Sequence, residues 1–205
     1  MENIFVENCV LWCDWGNTCE VGIETLCRSY RNIVFRNSDI MKGGFSAIDV
    51  NNGQTAEISD VLFENLTVEY NSFDTEPVTQ TAVDMIYPNP EGIWVPKLIR
   101  IRNVDMVKIY PTVKPHIKDV DLTGVNQGSI RNVTIKNIKV YYDESIPKVD
   151  GKYNTVIFIK NMRDDSEISD ITIGKITVNG TELNGDNAIW DISDIKNLNF
   201  LGENK

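Results

Sequence analysis

NIVFRNSDI (Asn32–Ile40) and DVLFENLTV (Asp60–Val68) are two copies of one nine-residue template. It reads Asn or Asp, apolar, any, apolar, any, usually Asn, apolar or small, any, apolar. The same template returns as NIFVENCVL from Asn3, LIRIRNVDM from Leu98, NVTIKNIKV from Asn132 and DITIGKITV from Asp170, with a degenerate copy from Asn197. Counted from first residue to first residue, the spacings are 29, 28, 38, 34, 38 and 27. Repetition at this period is the mark of units that bury their apolar face only by stacking on one another.

Within each copy the second and fourth places are apolar: Ile4 and Val6, Ile33 and Phe35, Val61 and Phe63, Ile99 and Ile101, Val133 and Ile135, Ile171 and Ile173. That is strand alternation. The sixth-place Asn (Asn8, Asn37, Asn65, Asn103, Asn137) tolerates left-handed backbone and suits a tight bend. Stacked copies of it would form an amide ladder. A second strand follows each template, in EVGIET (Glu20–Thr25), AIDVNNG (Ala47–Gly53), AVDMIYP (Ala82–Pro88), TVIFIKN (Thr155–Asn161) and AIWDISD (Ala188–Asp194). The expected fold is all-β: a right-handed, single-stranded parallel β-helix of about six to seven coils, forming one domain over residues 1–205. Insertions around 71–80, 88–96 and 143–153 would crowd one face, where binding sites tend to lie.

The 30 acidic and 20 basic residues give a formal charge of −10. Without a basic face, nucleic acid is not an expected partner, and a polyanionic polysaccharide would be repelled. No apolar run approaches the roughly 20 residues of a membrane-spanning helix, so no membrane role is expected. The opening MENIFVEN lacks the basic and apolar regions of a signal peptide. A cytoplasmic chain and a fragment of an extracellular enzyme stay open as alternatives. All four cysteines (Cys9, Cys13, Cys19, Cys27) lie near the start. Buried free thiols are the favoured reading, with a disulfide or a metal as alternatives. His116 is read as a loop residue.

The stretch VLWCDWGNTCEVGIET (Val10–Thr25), followed by YRNIVFRNSDI and SAIDVNNGQTAEISDVLFENLTVEY, resembles the polygalacturonase-like β-helix enzymes, glycoside hydrolase family 28. The resemblance covers most of residues 1–70. It implies hydrolysis of a glycosidic bond, with a carboxylic acid and a carboxylate as the working pair and neither cofactor nor metal. Asp14-Trp15-Gly16 stands where the family has Gly-His-Gly, and Ala47-Ile48-Asp49 where it has Arg-Ile-Lys. Without that Arg and Lys to grip a galacturonate carboxylate, a neutral polysaccharide or oligosaccharide is the expected partner. The family's upstream aspartate pair has no counterpart after Met1. The chain is therefore expected to be the C-terminal part of a larger enzyme, inactive alone, its first coil covered by another chain or by self-association.

Asp49, Asp84 and Glu24 are the candidate catalytic carboxylates. Alternation puts Asp49 and Asp84 outward on neighbouring second strands, beside Glu20 or Glu24. Asp14, Trp15, Glu20 and Trp94 are the candidate substrate-binding residues, because an indole stacks on a sugar ring and carboxylates accept from its hydroxyls. Trp12 is read as a core cap beside Leu11, and Trp190 is ambiguous. Rival readings are a non-catalytic carbohydrate-binding module and a structural or assembly protein.

Overall fold

The computed structural model describes residues 1–77, 92–105 and 128–202. They form fourteen strands: β1 (Glu2–Glu7), β2 (Val10–Cys13), β3 (Asn17–Val21), β4 (Ser29–Gly43), β5 (Ser46–Asn52), β6 (Glu57–Tyr70), β7 (Lys97–Asn103), β8 (Ser129–Tyr142), β9 (Tyr153–Asn161), β10 (Ile168–Ile173), β11 (Ile176–Val178), β12 (Thr181–Glu182), β13 (Ala188–Ser193) and β14 (Lys196–Phe200). There is no helix among the described residues.

The strands make two sheets. The larger runs β1-β4-β6-β8-β10-β14, with β2 added to β4 and β11 to β8. The smaller runs β13-β9-β7-β5-β3. Pairing is parallel in both, apart from the short β11–β12 hairpin. Template positions stack in register, so Val6, Phe35, Phe63, Ile135, Ile173 and Phe200 form one apolar column. Phe35 and Phe63 stack with ring centroids 5.3 Å apart. In the smaller sheet Val50, Ile101 and Ile159 do the same. Both sets belong to one buried cluster, with the end members Val6 and Phe200 partly buried against it, which is what makes the sheets a single packed body.

The expected right-handed β-helix of six to seven coils is corrected by these findings. The described architecture is a pair of parallel sheets, interrupted by an antiparallel hairpin and by register shifts at Leu11/Trp12 and Ala188/Ile189. The repeat requires only that equivalent residues stack side by side, which a parallel sheet satisfies without a coil of defined hand or number. The coil count also leaned on LIRIRNVDM as a copy of the template. Its strand, β7, lies instead in the smaller sheet between β5 and β9, and Asn103 is buried there beside Asn52 and Asn161.

The Asn and Asp template positions shape the larger sheet. Asn32 and Asn37 have φ of 54° and 52°, Asp60 and Asn65 57° and 54°, and Asn132 and Asn137 52° and 54°. These left-handed residues sit inside long strands that stay paired across them, rather than separating two strands as expected. Their side chains link neighbouring strands: Asn32 Nδ2 donates to Asn3 Oδ1 at 2.6 Å, Asn65 to Asn37 at 3.0 Å, Asn132 to Asp60 at 2.5 Å and Asn197 to Asp170 at 3.0 Å. Asn137 donates likewise to Asn65. Asn is the one common residue that both adopts this backbone and supplies donor and acceptor to such a ladder.

A buried polar knot holds the return from β5 to β6. Thr25 Oγ1 donates to Asn52 Oδ1 at 2.6 Å and accepts from the Gly53 and Gln54 N–H groups at 3.2 and 3.0 Å. Asn52 Nδ2 donates to the Ala56 carbonyl at 2.7 Å. These bonds satisfy backbone groups that leave the ladder at the turn.

Candidate functional site

Two places gather the chemistry-bearing side chains. The first lies where chain leaves the larger sheet for the smaller one. β2 ends at Cys13 and reaches β3 through Asp14-Trp15-Gly16; β4 ends at Gly43 and reaches β5 through Gly44-Phe45; the β6–β7 connection arrives through Trp94. Backbone bonds stack these turns: Phe45 N–H donates to the Gly16 carbonyl at 2.6 Å and Lys97 N–H to the Phe45 carbonyl at 3.0 Å. Gly44 is required here, since its φ is +55° and an added Cβ would stand 2.3 Å from the Gly16 carbonyl oxygen.

On this platform the Asp14 carboxylate accepts from Lys42 Nζ and from Trp12 Nε1, each at 3.0 Å. Lys42 Nζ also stands 5.7 Å from the Trp12 ring centroid, within cation–π reach. The Lys42 bond, then the Trp12 bond, hold the Asp14 carboxyl below its ordinary value, so it is ionised at neutral pH. Trp12 is 60% exposed and Trp15 61%. Trp12 is thus not the core cap the sequence suggests. Trp94 is anchored instead, its Nε1 donating to the Gly44 carbonyl at 2.8 Å and its ring meeting Phe45 edge-on at 6.2 Å. Asp74 is buried beneath this region, and burial raises its carboxyl against the pull of Lys42.

The second place is the face of the smaller sheet away from the shared core. Register aligns Glu20, Asp49, Arg100, Phe158 and Asp191 on successive strands. Asp49 is fully buried rather than solvent-facing. Its Oδ2 accepts from Arg100 Nε at 3.1 Å and from Arg100 Nη2, which also donates to Asn17 Oδ1 at 2.9 Å. Among the described residues Asp49 Oδ1 and Asn51 Nδ2 have no hydrogen-bond partner. Burial pushes the Asp49 carboxyl up to about 6, Arg100 opposes this, and Glu20 adds to it. Desolvation outweighs the ion pair, as expected for a carboxylate with one oxygen unsatisfied.

Of the residues singled out in the sequence, Asp14, Trp15 and Trp94 therefore share the stacked turns, and Asp49 and Glu20 are neighbours. Glu24 stands apart: it is exposed beyond the end of β3, and its carbonyl accepts from Tyr30 Oη at 3.2 Å. Asp84 and His116 lie outside the described residues. Trp190 packs on Phe200 with centroids 4.9 Å apart. The four cysteines are free thiols, but only Cys19 is buried, and Cys27 is exposed. Among the described residues no group of three or more His, Cys, Asp or Glu side chains could hold a metal ion. Sequence reasoning missed Lys42 and Arg100. The Gly43-Gly44 turn beside Lys42 was a signal for the first. The alternation of Arg100 and Arg102, facing Asp49 and Asn51 once β7 is placed in the smaller sheet, was a signal for the second. Comparison of the chain with protein-family models, with curated proteins and with solved structures gives no match.

Proposed function

We propose that this protein recognises a neutral polysaccharide or oligosaccharide at the stacked turns. The observation that carries the reading is the pair of exposed indoles, Trp12 and Trp15, flanking in sequence the Asp14 carboxylate that pairs with Lys42. An indole face left in water is costly unless something covers it, and the apolar face of a sugar ring fits it. Ionised Asp14 accepts from sugar hydroxyls and the Lys42 ammonium donates to them. The resemblance of Val10–Thr25 to polygalacturonase-like enzymes supports a carbohydrate as the ligand, and the lack of that family's Arg and Lys favours a neutral one. A panel of neutral and uronic-acid oligosaccharides, titrated calorimetrically against the wild type and Trp15→Ala, tests it. Binding of a neutral glycan, weakened at least tenfold by the substitution, is expected. No binding across the panel, or unchanged binding by Trp15→Ala, would overturn it.

Glycosidic hydrolysis is the second reading, favoured by one observation: Asp49, with its carboxyl raised to about 6, lies in register with Glu20 on the neighbouring strand. Two carboxyls whose environments differ are how an acid and a base are made from one side-chain type. In this scheme protonated Asp49 gives its proton to the departing glycosidic oxygen. Glu20, as the second carboxyl, either activates water or attacks the anomeric carbon, according to the distance between the carboxyls. Buried Asp49 must be uncovered for this to happen. Reducing-end release from any bound glycan, lost in Asp49→Asn and in Glu20→Gln, is the expected outcome; binding without release by the wild type removes hydrolysis and leaves recognition standing.

A further inference from the structure

The two ends of the larger sheet match each other. β1 and β14 are its terminal strands, so among the described residues each presents an unpaired row of backbone donors and acceptors, an open template for another strand. β1 also leaves Phe5 56% exposed, with Ile4 and Val6 only half covered. We propose that the β1 edge of one molecule docks on the β14 edge of a second copy, head to tail, extending both sheets.

The side-chain ladders give the direction. In each of their bonds the donor amide comes from the strand later in the stack: Asn32 to Asn3, Asn132 to Asp60, Asn197 to Asp170. One end is thus left with the Asn3 amide NH₂ and the other with the Asn197 amide oxygen. Placed in register across a junction, Asn3 donates to Asn197 and the ladder continues. The apolar column continues too, since Ile4 and Val6 share its positions with Leu198 and Phe200. Charge agrees: Glu2 and Lys196 occupy equivalent positions at opposite ends. Pairing two β1 edges would instead oppose Glu2 and Glu7 with the same residues. The smaller sheet adds one unfavourable pair, because the same register sets Glu20 against Asp191.

Sedimentation velocity over a concentration series tests the junction. The wild type should form an open-ended series of oligomers. Glu2→Lys and Lys196→Glu, both at exposed positions, should each raise the midpoint concentration about tenfold, because a favourable pair becomes a like-charged one. Mixing the two variants in equal amounts should restore wild-type association, since every mixed junction is complementary. Asp191→Asn should tighten it. Far-UV circular dichroism of each variant confirms that the fold is retained, and Val6→Asp supplies an independent block of the same edge. A wild type still monomeric at about 100 µM overturns the proposal. That result is expected if the edge is covered by a preceding segment of a longer chain or by a different protein. A dimer that saturates without further growth, a mixture no better than either variant, or weaker association of Asp191→Asn overturns it as well.

Discussion

Asp49→Asn should change the way stability depends on pH, with a sign that the structure determines. Asp49 is fully buried, its Oδ2 held by Arg100 and its Oδ1 without a partner among the described residues. Burial lifts its carboxyl from 3.8 to about 6. A folded state that holds its proton more tightly than the unfolded chain is favoured at low pH. The contribution is complete below the unfolded value and is lost as pH rises through the folded one. At ~1.4 kcal/mol per pH unit the interval amounts to about 3 kcal/mol. The amide in Asp49→Asn has no proton to lose and removes this dependence. Urea unfolding of both proteins, followed by tryptophan fluorescence between about pH 4.5 and about pH 7.5, isolates the group, because other titrations cancel in the difference. The wild type should lose about 2 kcal/mol relative to Asp49→Asn across that range. A difference that stays flat, or one that grows in favour of the wild type with rising pH, would show that Arg100 at least offsets desolvation and would refute the reasoning.

Asn65→Ala should cost about 2 kcal/mol, because it places a Cβ residue without a local polar partner at φ 54° and breaks the bonds to Asn37 and Asn137. Asn65→Gly should cost about half as much; equal losses on chemical denaturation would mean the backbone conformation contributes nothing. Gly22→Ala should lower stability by about 2–4 kcal/mol, since a Cβ there would stand 1.8 Å from the Asn51 carbonyl oxygen at φ +118°. A wild-type melting temperature would contradict that contact. Thr25→Val, which removes the hydroxyl serving Asn52, Gly53 and Gln54, should cost about 1–2 kcal/mol. Thr25→Ser should stay within about 0.5 kcal/mol in the same thermal melts.

The template strands, their inward residues and the Asn ladder were legible in the sequence, because alternation and left-handed tolerance are local properties that repeat. The second strand expected at Glu20–Thr25 lies instead at Asn17–Val21, and the one expected at Ala82–Pro88 falls outside the described residues. Ile33, Phe35, Val61 and Phe63 are buried as their places in the template require, and Asn37 and Asn65 meet side by side. Assigning each strand to its sheet was not local. LIRIRN and NIVFRN read alike, yet one pairs with β5 and the other is part of β4. That choice depends on which neighbour buries Ile99 and Ile101, and so the expected coil and its count gave way to two sheets. The candidate site divides in the same way. Trp15 and Asp14 were recognisable by residue type, but their relation to Lys42 depends on stacking β2 against β4. Asp49 was recognisable as a carboxylate on a strand face. Only tertiary structure decided that it is buried against Arg100, because desolvation depends on residues distant in sequence that no local pattern encodes.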